Sequence, residues 1–264
     1  MKKNSIWYCI AIAISLSSCM PVNYYQVYKV KSVNIGTEQK NPLVYEDNNC
    51  KVSYDFWSNG GYLRFEIYNK TDKNLFIDLG KSFFILNGIA YDYFESKTFE
   101  SRRSISTRTG GAVSYGYVAI STAKTDFNEE TISTIQKEVI CIPPKSAKIV
   151  NEYYVTKSLY RDCNLFIYPS RKQIVTSNFS EYESPFVVRN IISYNVESTD
   201  NQVKFENKFY ISEITNYPQS QIKELEKKQF CGEYEMKYVQ KSKYVAPDKF
   251  YIEYKSNEYP MLKH

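Results

Sequence analysis

The chain has one histidine, His264, and it is the final residue. Terminal residues fray, so His264 is badly placed to hold a proton at a fixed position. Ser–His–Asp and Cys–His catalysis, the HExxH zinc helix and two-histidine iron sites are therefore not expected. Two SxxK spacings occur, Ser121 to Lys124 and Ser220 to Lys223, without the Ser-Asp-Asn and Lys-Thr-Gly partners that such a serine requires. Carboxylates could act alone, because glycan hydrolysis needs only two acids at a set separation. The pairs Glu46 and Asp47, Asp92 and Glu95, and Glu129 and Glu130 are adjacent or nearly so in sequence. Solvated turns and strand faces account for each of them. No P-loop, GxGxxG or EF-hand spacing is present. No residue is thus assigned a catalytic role, and no metal or cofactor is expected. One basic cluster, Arg102, Arg103 and Arg108, could grip an anionic partner.

Cysteine gives the most specific signal. Of six cysteines, Cys19 follows a basic start (Lys2, Lys3), an apolar run from Ile6 to Leu16, and the small pair Ser17-Ser18. This is the three-part plan of an export leader over residues 1–18. The run is shorter than the roughly 20 residues that a spanning helix needs. Leu16-Ser17-Ser18-Cys19 resembles the lipobox of bacterial lipoproteins, in which the cysteine thiol takes a diacylglyceryl group and the new amine an acyl chain such as palmitate. Two or three chains anchor firmly where one binds reversibly, each buried methylene adding about 0.8 kcal/mol. Residues 19–24 are then read as a lipidated tether, and residues 25–264 as the body. Cys9 leaves with the leader. Cys50, Cys141, Cys163 and Cys231 remain, and in an oxidising envelope they could form disulfides, with three pairings open.

The charge balance is mild, 34 Lys and Arg against 29 Asp and Glu, which argues with the export leader against nucleic acid as a partner. The expected partners are the membrane, through the anchor, and a protein or glycan of the envelope. Tyrosine is abundant, at 26 residues, beside 15 phenylalanines. Both favour strands, and tyrosine also suits faces that contact sugars or peptides.

The elements needed to carry such a surface are strands. In KVSYDFW, Val52, Tyr54 and Phe56 alternate with polar residues, and SNGG (58–61) turns the chain into YLRFEIYN, where Leu63, Phe65 and Ile67 form the apolar face. LFIDL follows, and SFFIL and IAYDYF are joined by Asn87-Gly88, a type I′ turn pair. Residues 51–94 thus predict a meander of at least five strands. Residues 95–111, rich in Ser, Thr and Arg, predict a long solvated loop. TDFNEETISTIQKEV predicts a short helix, as does PQSQIKELEKKQ at 218–229. Strands are predicted on both sides of Pro143-Pro144, over SPFVVRNIISYNV and VKFENKFYISEI as a late hairpin, and over KFYIEY. The fold class is all-β: one domain, an antiparallel immunoglobulin-like β-sandwich with one or two short helices.

The segments FWSNGG, YNKTDKNLFIDLGKSFFILNGIAYDYF, IPPKSAKIV, YRDC, SPFVVRNIISY, NKFYISEITNYP, FCG and PDKFYIEY together resemble a family of uncharacterised lipoproteins from Gram-negative anaerobes of the gut and mouth. The resemblance spans nearly all of the chain after the leader and implies a lipoprotein with one sheet-rich domain. It implies no activity. Surface-displayed lipoproteins of related bacteria often carry acidic residues just after the lipidated cysteine, and MPVNYYQVYK has none. The expected place is therefore the outer membrane, facing the periplasm. Two functions remain open: a non-catalytic binding or assembly module, and a carboxylate-dependent glycan hydrolase or lyase.

Overall fold

Alternation of apolar and polar residues governs the fold, as seen in a computed structural model that describes residues 22–33, 43–94, 98–115, 118–135, 137–197, 201–229, 231–232 and 234–256. The leader (1–18), Cys19 and His264 lie outside the described residues. Strand β1 runs Asn23–Ser32, β2 Val44–Glu46, β3 Cys50–Asp55, β4 Tyr62–Asn69, β5 Leu75–Leu86 and β6 Ile89–Asp92. Next come β7 Thr98–Tyr115, β8 Val118–Ile135, β9 Val139–Ile142, β10 Ala147–Tyr154 and β11 Thr176–Asn178. The chain ends with β12 Val187–Val196, β13 Val203–Pro218, helix α1 Gln219–Ile222, β14 Lys223–Lys228, β15 Lys237–Ser242 and β16 Lys249–Lys255.

The large sheet is ordered β16-β1-β13-β12-β5-β6, with β11 also on β13 and β9 also on β5. A four-stranded sheet, β10-β4-β3-β2, lies against it. Among the described residues the strands of these two sheets pair antiparallel, so the all-β, sandwich-like expectation holds. One apolar core joins the sheets: Val52, Tyr54 and Phe65 of the small sheet meet Ile77, Ile192 and Phe209 of the large one. Each large side chain buried here contributes about 1.5–3 kcal/mol relative to exposure.

Two turns behave as their residues dictate. Asn87 and Gly88 have φ of 49° and 86°, the two positive angles of a type I′ turn. Gly60 and Gly61, at φ of 87° and 63°, end the link between β3 and β4. A Cβ on Gly60 would meet the Thr156 carbonyl at 2.7 Å, and one on Gly61 the Phe250 ring at 2.8 Å. Glycine is required at both positions.

Several expectations are corrected. The region 51–94 holds four strands, because LFIDL and SFFIL are one strand running through Gly80. The glycine marks an irregularity where β12 shifts register against β5 between Ile191 and Ser193. The loop expected at 95–111 is mostly β7, which pairs along its whole length with β8. That pairing also takes up residues 125–135 (TDFNEETISTI), whose β-branched threonines and isoleucines suit a strand better than a helix. PQSQIKELEKKQ keeps a single helical turn and then becomes β14, since Ile222 alone is buried and pairing with β15 claims the remaining backbone. Of the segment 19–24 read as a tether, residues 19–21 lie outside the described residues, while Asn23 and Tyr24 pair in β1 and Tyr24 packs against Tyr168 and Tyr254.

Candidate functional site

Tyrosine builds two kinds of place in this molecule. The first lies between the sheets. Asn190 of β12 and Asn207 of β13 sit opposite each other in register, and both are buried. Tyr54 reaches across from β3 and donates its hydroxyl to Asn207 Oδ1 at 2.7 Å, while Asn190 Nδ2 donates to the Tyr54 oxygen at 3.0 Å. Tyr93 donates to Asn190 Oδ1 at 2.7 Å. Burial pushes the Tyr54 and Tyr93 phenols well above their ordinary range, so both remain protonated donors.

A related cluster closes the β2–β3 turn. Asp47 accepts the backbone N–H of Asn49 at 2.8 Å and of Cys50 at 2.7 Å, and the hydroxyls of Tyr194 at 2.7 Å and Tyr45 at 3.2 Å. Burial alone would raise the Asp47 carboxyl, but these donors outweigh it and hold its pKa below the ordinary aspartate value. Burial pushes the Cys50 thiol up, and Asp47 adds to the shift. Lys70 donates to Glu46 Oε1 and to the Asp47 carbonyl, both at 2.7 Å. Glu46 and Asp47 are thus fully engaged in holding a turn.

The second kind of place is open to solvent. At one side of the sandwich the edge strands β6 and β10 approach each other. The register of β10 against β4 slips between Asn151 and Tyr154, and such an irregularity re-aims side chains. Tyr153 turns toward the large sheet, stacks on Phe84 at a centroid distance of 5.0 Å and donates its hydroxyl to the Asp92 carbonyl. Tyr91 tilts against Tyr153 at 5.7 Å. Tyr154 packs on Tyr62 at 4.5 Å, and Lys157 Nζ lies 4.7 Å from the Tyr154 ring centroid. Phe84, Tyr91, Tyr153, Tyr154 and Lys157, with Glu152 and Thr156, line an open groove of about 470 Å³. Its floor is held from below, because the Gly60 carbonyl accepts the backbone N–H of both Val155 and Thr156 at 3.1 Å. Tyr91 and Tyr154 are 38% and 40% exposed, so part of each ring remains in contact with solvent. Among the described residues the groove lining carries one carboxylate, Glu152.

The residues singled out from sequence do not converge here. Arg102, Arg103 and Arg108 lie on β7, opposite Thr131, Glu130 and Thr125 in register. Glu129 and Glu130 lie on β8, opposite Ser104 and Arg103. Asp92 is exposed at the end of β6, and Glu95 lies outside the described residues. Ser121 is on β8, while Lys223 sits 5.5 Å from the ring centroid of Tyr25. The four body cysteines are free thiols: Cys50 is buried beside Asp47, and Cys141, Cys163 and Cys231 are exposed. The disulfides that these four cysteines could form are not made in the structure: Cys50 is enclosed in the core, and the others sit on β9, in the irregular 155–175 stretch and between β14 and β15.

Sequence reading passed over Glu152, Tyr153, Tyr154 and Lys157. A signal was present in Tyr153-Tyr154, because two adjacent aromatics in one strand cannot both face a single core. No protein-family model, curated protein or solved structure matches the chain.

Proposed function

We propose that this is a lipid-anchored envelope protein whose sandwich is a non-catalytic binding module, and that the groove between β6 and β10 holds a saccharide. The observation that carries the reading is the pair of part-exposed rings Tyr91 and Tyr154, with the half-buried Tyr153 between the sheets beside them, flanked by Glu152, Thr156 and Lys157. Sugar rings present one C–H face and a rim of hydroxyls. The negative face of a tyrosine ring suits the former, and a few convergent polar groups suit the latter. A retaining or inverting hydrolase needs a second carboxyl roughly 5–10 Å from the first. Glu152 lines this groove between aromatic rings and beside Thr156 and Lys157, a mixture of one carboxylate, one hydroxyl and one ammonium that suits the hydroxyl rim of a bound sugar. The anchor rests on Cys19 and its leader, and the outer membrane facing the periplasm is the place this reading assigns.

Two measurements test the proposal. Titration with soluble peptidoglycan fragments and lipopolysaccharide-derived oligosaccharides is expected to give saturable binding that Tyr154→Ala weakens at least tenfold. Absence of binding to every saccharide, or an unchanged affinity in Tyr154→Ala, would contradict the groove assignment. Incorporation of labelled palmitate is expected to disappear in Cys19→Ser, and label retained there would contradict the anchor.

A further inference from the structure

The hairpin β14–β15 gathers several apolar side chains that remain in solvent. Leu225 and Tyr238 are 65% and 62% exposed, and Met236 and Tyr234 near its turn are also exposed. The register places Lys223, Leu225 and Lys227 opposite Ser242, Gln240 and Tyr238. Side chains alternate along a strand, so these six share one face, and no carboxylate lies on it. Lys227 Nζ sits 5.3 Å from the Tyr238 ring centroid. The acids Glu224 and Glu226 occupy the other face, where Lys241 approaches Glu226 at 3.6 Å.

The chain's own path supplies an independent observation. Val22 is fixed at the start of β1, where its carbonyl accepts the Ser256 N–H at 3.1 Å. It lines an open hollow of about 370 Å³ together with Pro218, Lys223, Leu225 and Gln240, at the base of the hairpin. Cys19 is three residues upstream, and three residues span at most about 10 Å when extended. A lipid on Cys19 therefore brings the bilayer close to this hairpin.

We infer that the basic, apolar face of β14–β15 rests on an anionic bilayer surface and fixes the orientation of the body above the membrane. The inference depends on the lipid anchor of the proposed function. Leucine and tyrosine enter the boundary between headgroups and acyl chains, and the lysines meet anionic headgroups. No helix among the described residues is long and apolar enough to cross a membrane.

The test places a reporter on the hairpin. The full chain carrying Tyr238→Trp, Trp57→Phe and Trp7→Phe, so that position 238 holds its one indole, is produced in a Gram-negative host and reconstituted in phosphatidylethanolamine–phosphatidylglycerol vesicles. Brominated acyl chains are expected to reduce indole emission at position 238 at least twofold, and adding Leu225→Glu with Lys227→Glu should abolish that quenching while the protein still sediments with the vesicles. An indole shielded from acrylamide but not quenched by brominated lipid would assign the face to a protein partner or a second copy and overturn the inference. An indole open to acrylamide would overturn it as well. The mass of the N-terminal peptide reports the anchor separately. If Cys19 carries no acyl group, the unacylated chain is mixed with the same vesicles at high lipid. Quenching that is at least twofold stronger with anionic than with zwitterionic lipid then sustains the hairpin contact, and equal or absent quenching ends it.

Discussion

The tyrosines between the sheets and those in the β6–β10 groove share one chemistry and differ in what surrounds them. Tyr54 and Tyr93 spend their hydroxyls on Asn190 and Asn207, and their rings are enclosed. Tyr91 and Tyr154 keep ring faces in water, and Tyr153 uses its hydroxyl on the Asp92 backbone to stay in place. The contrast separates tyrosine used for fold specificity from tyrosine available to a ligand. A buried hydroxyl must be paired, because an unmade hydrogen bond in the interior costs about 1–3 kcal/mol. That requirement ties Tyr54 to two facing asparagines and so helps set how the sheets register. An open ring has no such obligation, and its apolar face remains a contact surface.

Breaking the inner set has the largest expected effect. Asn190→Ala removes the acceptor of Tyr93 and a donor to Tyr54 and leaves a small void, so unfolding stability should fall by about 2–4 kcal/mol in urea titration. Saccharide affinity measured well below the unfolding midpoint should stay within about twofold. Gly61→Ala forces a side chain into a left-handed backbone and against Phe250, which stacks on Tyr28 at 4.4 Å. A loss of about 1–3 kcal/mol is expected, with weaker binding as well, since the adjoining Gly60 supports the groove floor.

Asp47→Asn sharpens the comparison at the rim of the core. The folded-state pKa of Asp47 lies below its unfolded value, so its contribution is complete above about pH 4 and is lost as acid titrates the folded carboxyl. The variant should lose about 1 kcal/mol at neutral pH and show a flatter decline of stability as the pH falls below about 4. An identical acid slope in both proteins would show that Asp47 is not stabilised by its donors. Tyr154→Ala should have the smallest effect on stability, under about 1 kcal/mol, because the ring is already part exposed. Its effect should fall on binding instead.

Much of the sandwich was legible from period-two patterning. Val52, Tyr54, Phe56, Leu63, Phe65 and Ile67 were assigned to a core face, and all are buried. Asn87-Gly88 specified its turn through backbone preference alone. The segments misread were those in which local propensity and pairing disagree. KELEKK favours helix as an isolated stretch, yet pairing with KYVQKS decides its state, and that pairing is not visible one strand at a time. The stretch 95–111 looks like loop for the same reason: Ser, Thr and Arg leave no apolar stripe, and only the partner strand β8 makes it regular. The groove was hidden more deeply. Its parts come from β6, β10 and the turn at Gly60, and their approach follows from how two sheet edges meet.

Chemical labelling of surface tyrosines, compared between intact envelopes and purified protein, tests the central claim most directly. Tyr182 is 96% exposed and lies away from the groove residues in sequence, so it serves as the internal standard. The account predicts that Tyr91 and Tyr154 are labelled several-fold less in intact envelopes than after purification, while labelling of Tyr182 is unchanged. Equal labelling of all three in both settings would mean that nothing occupies the groove where the protein works, and would contradict the account.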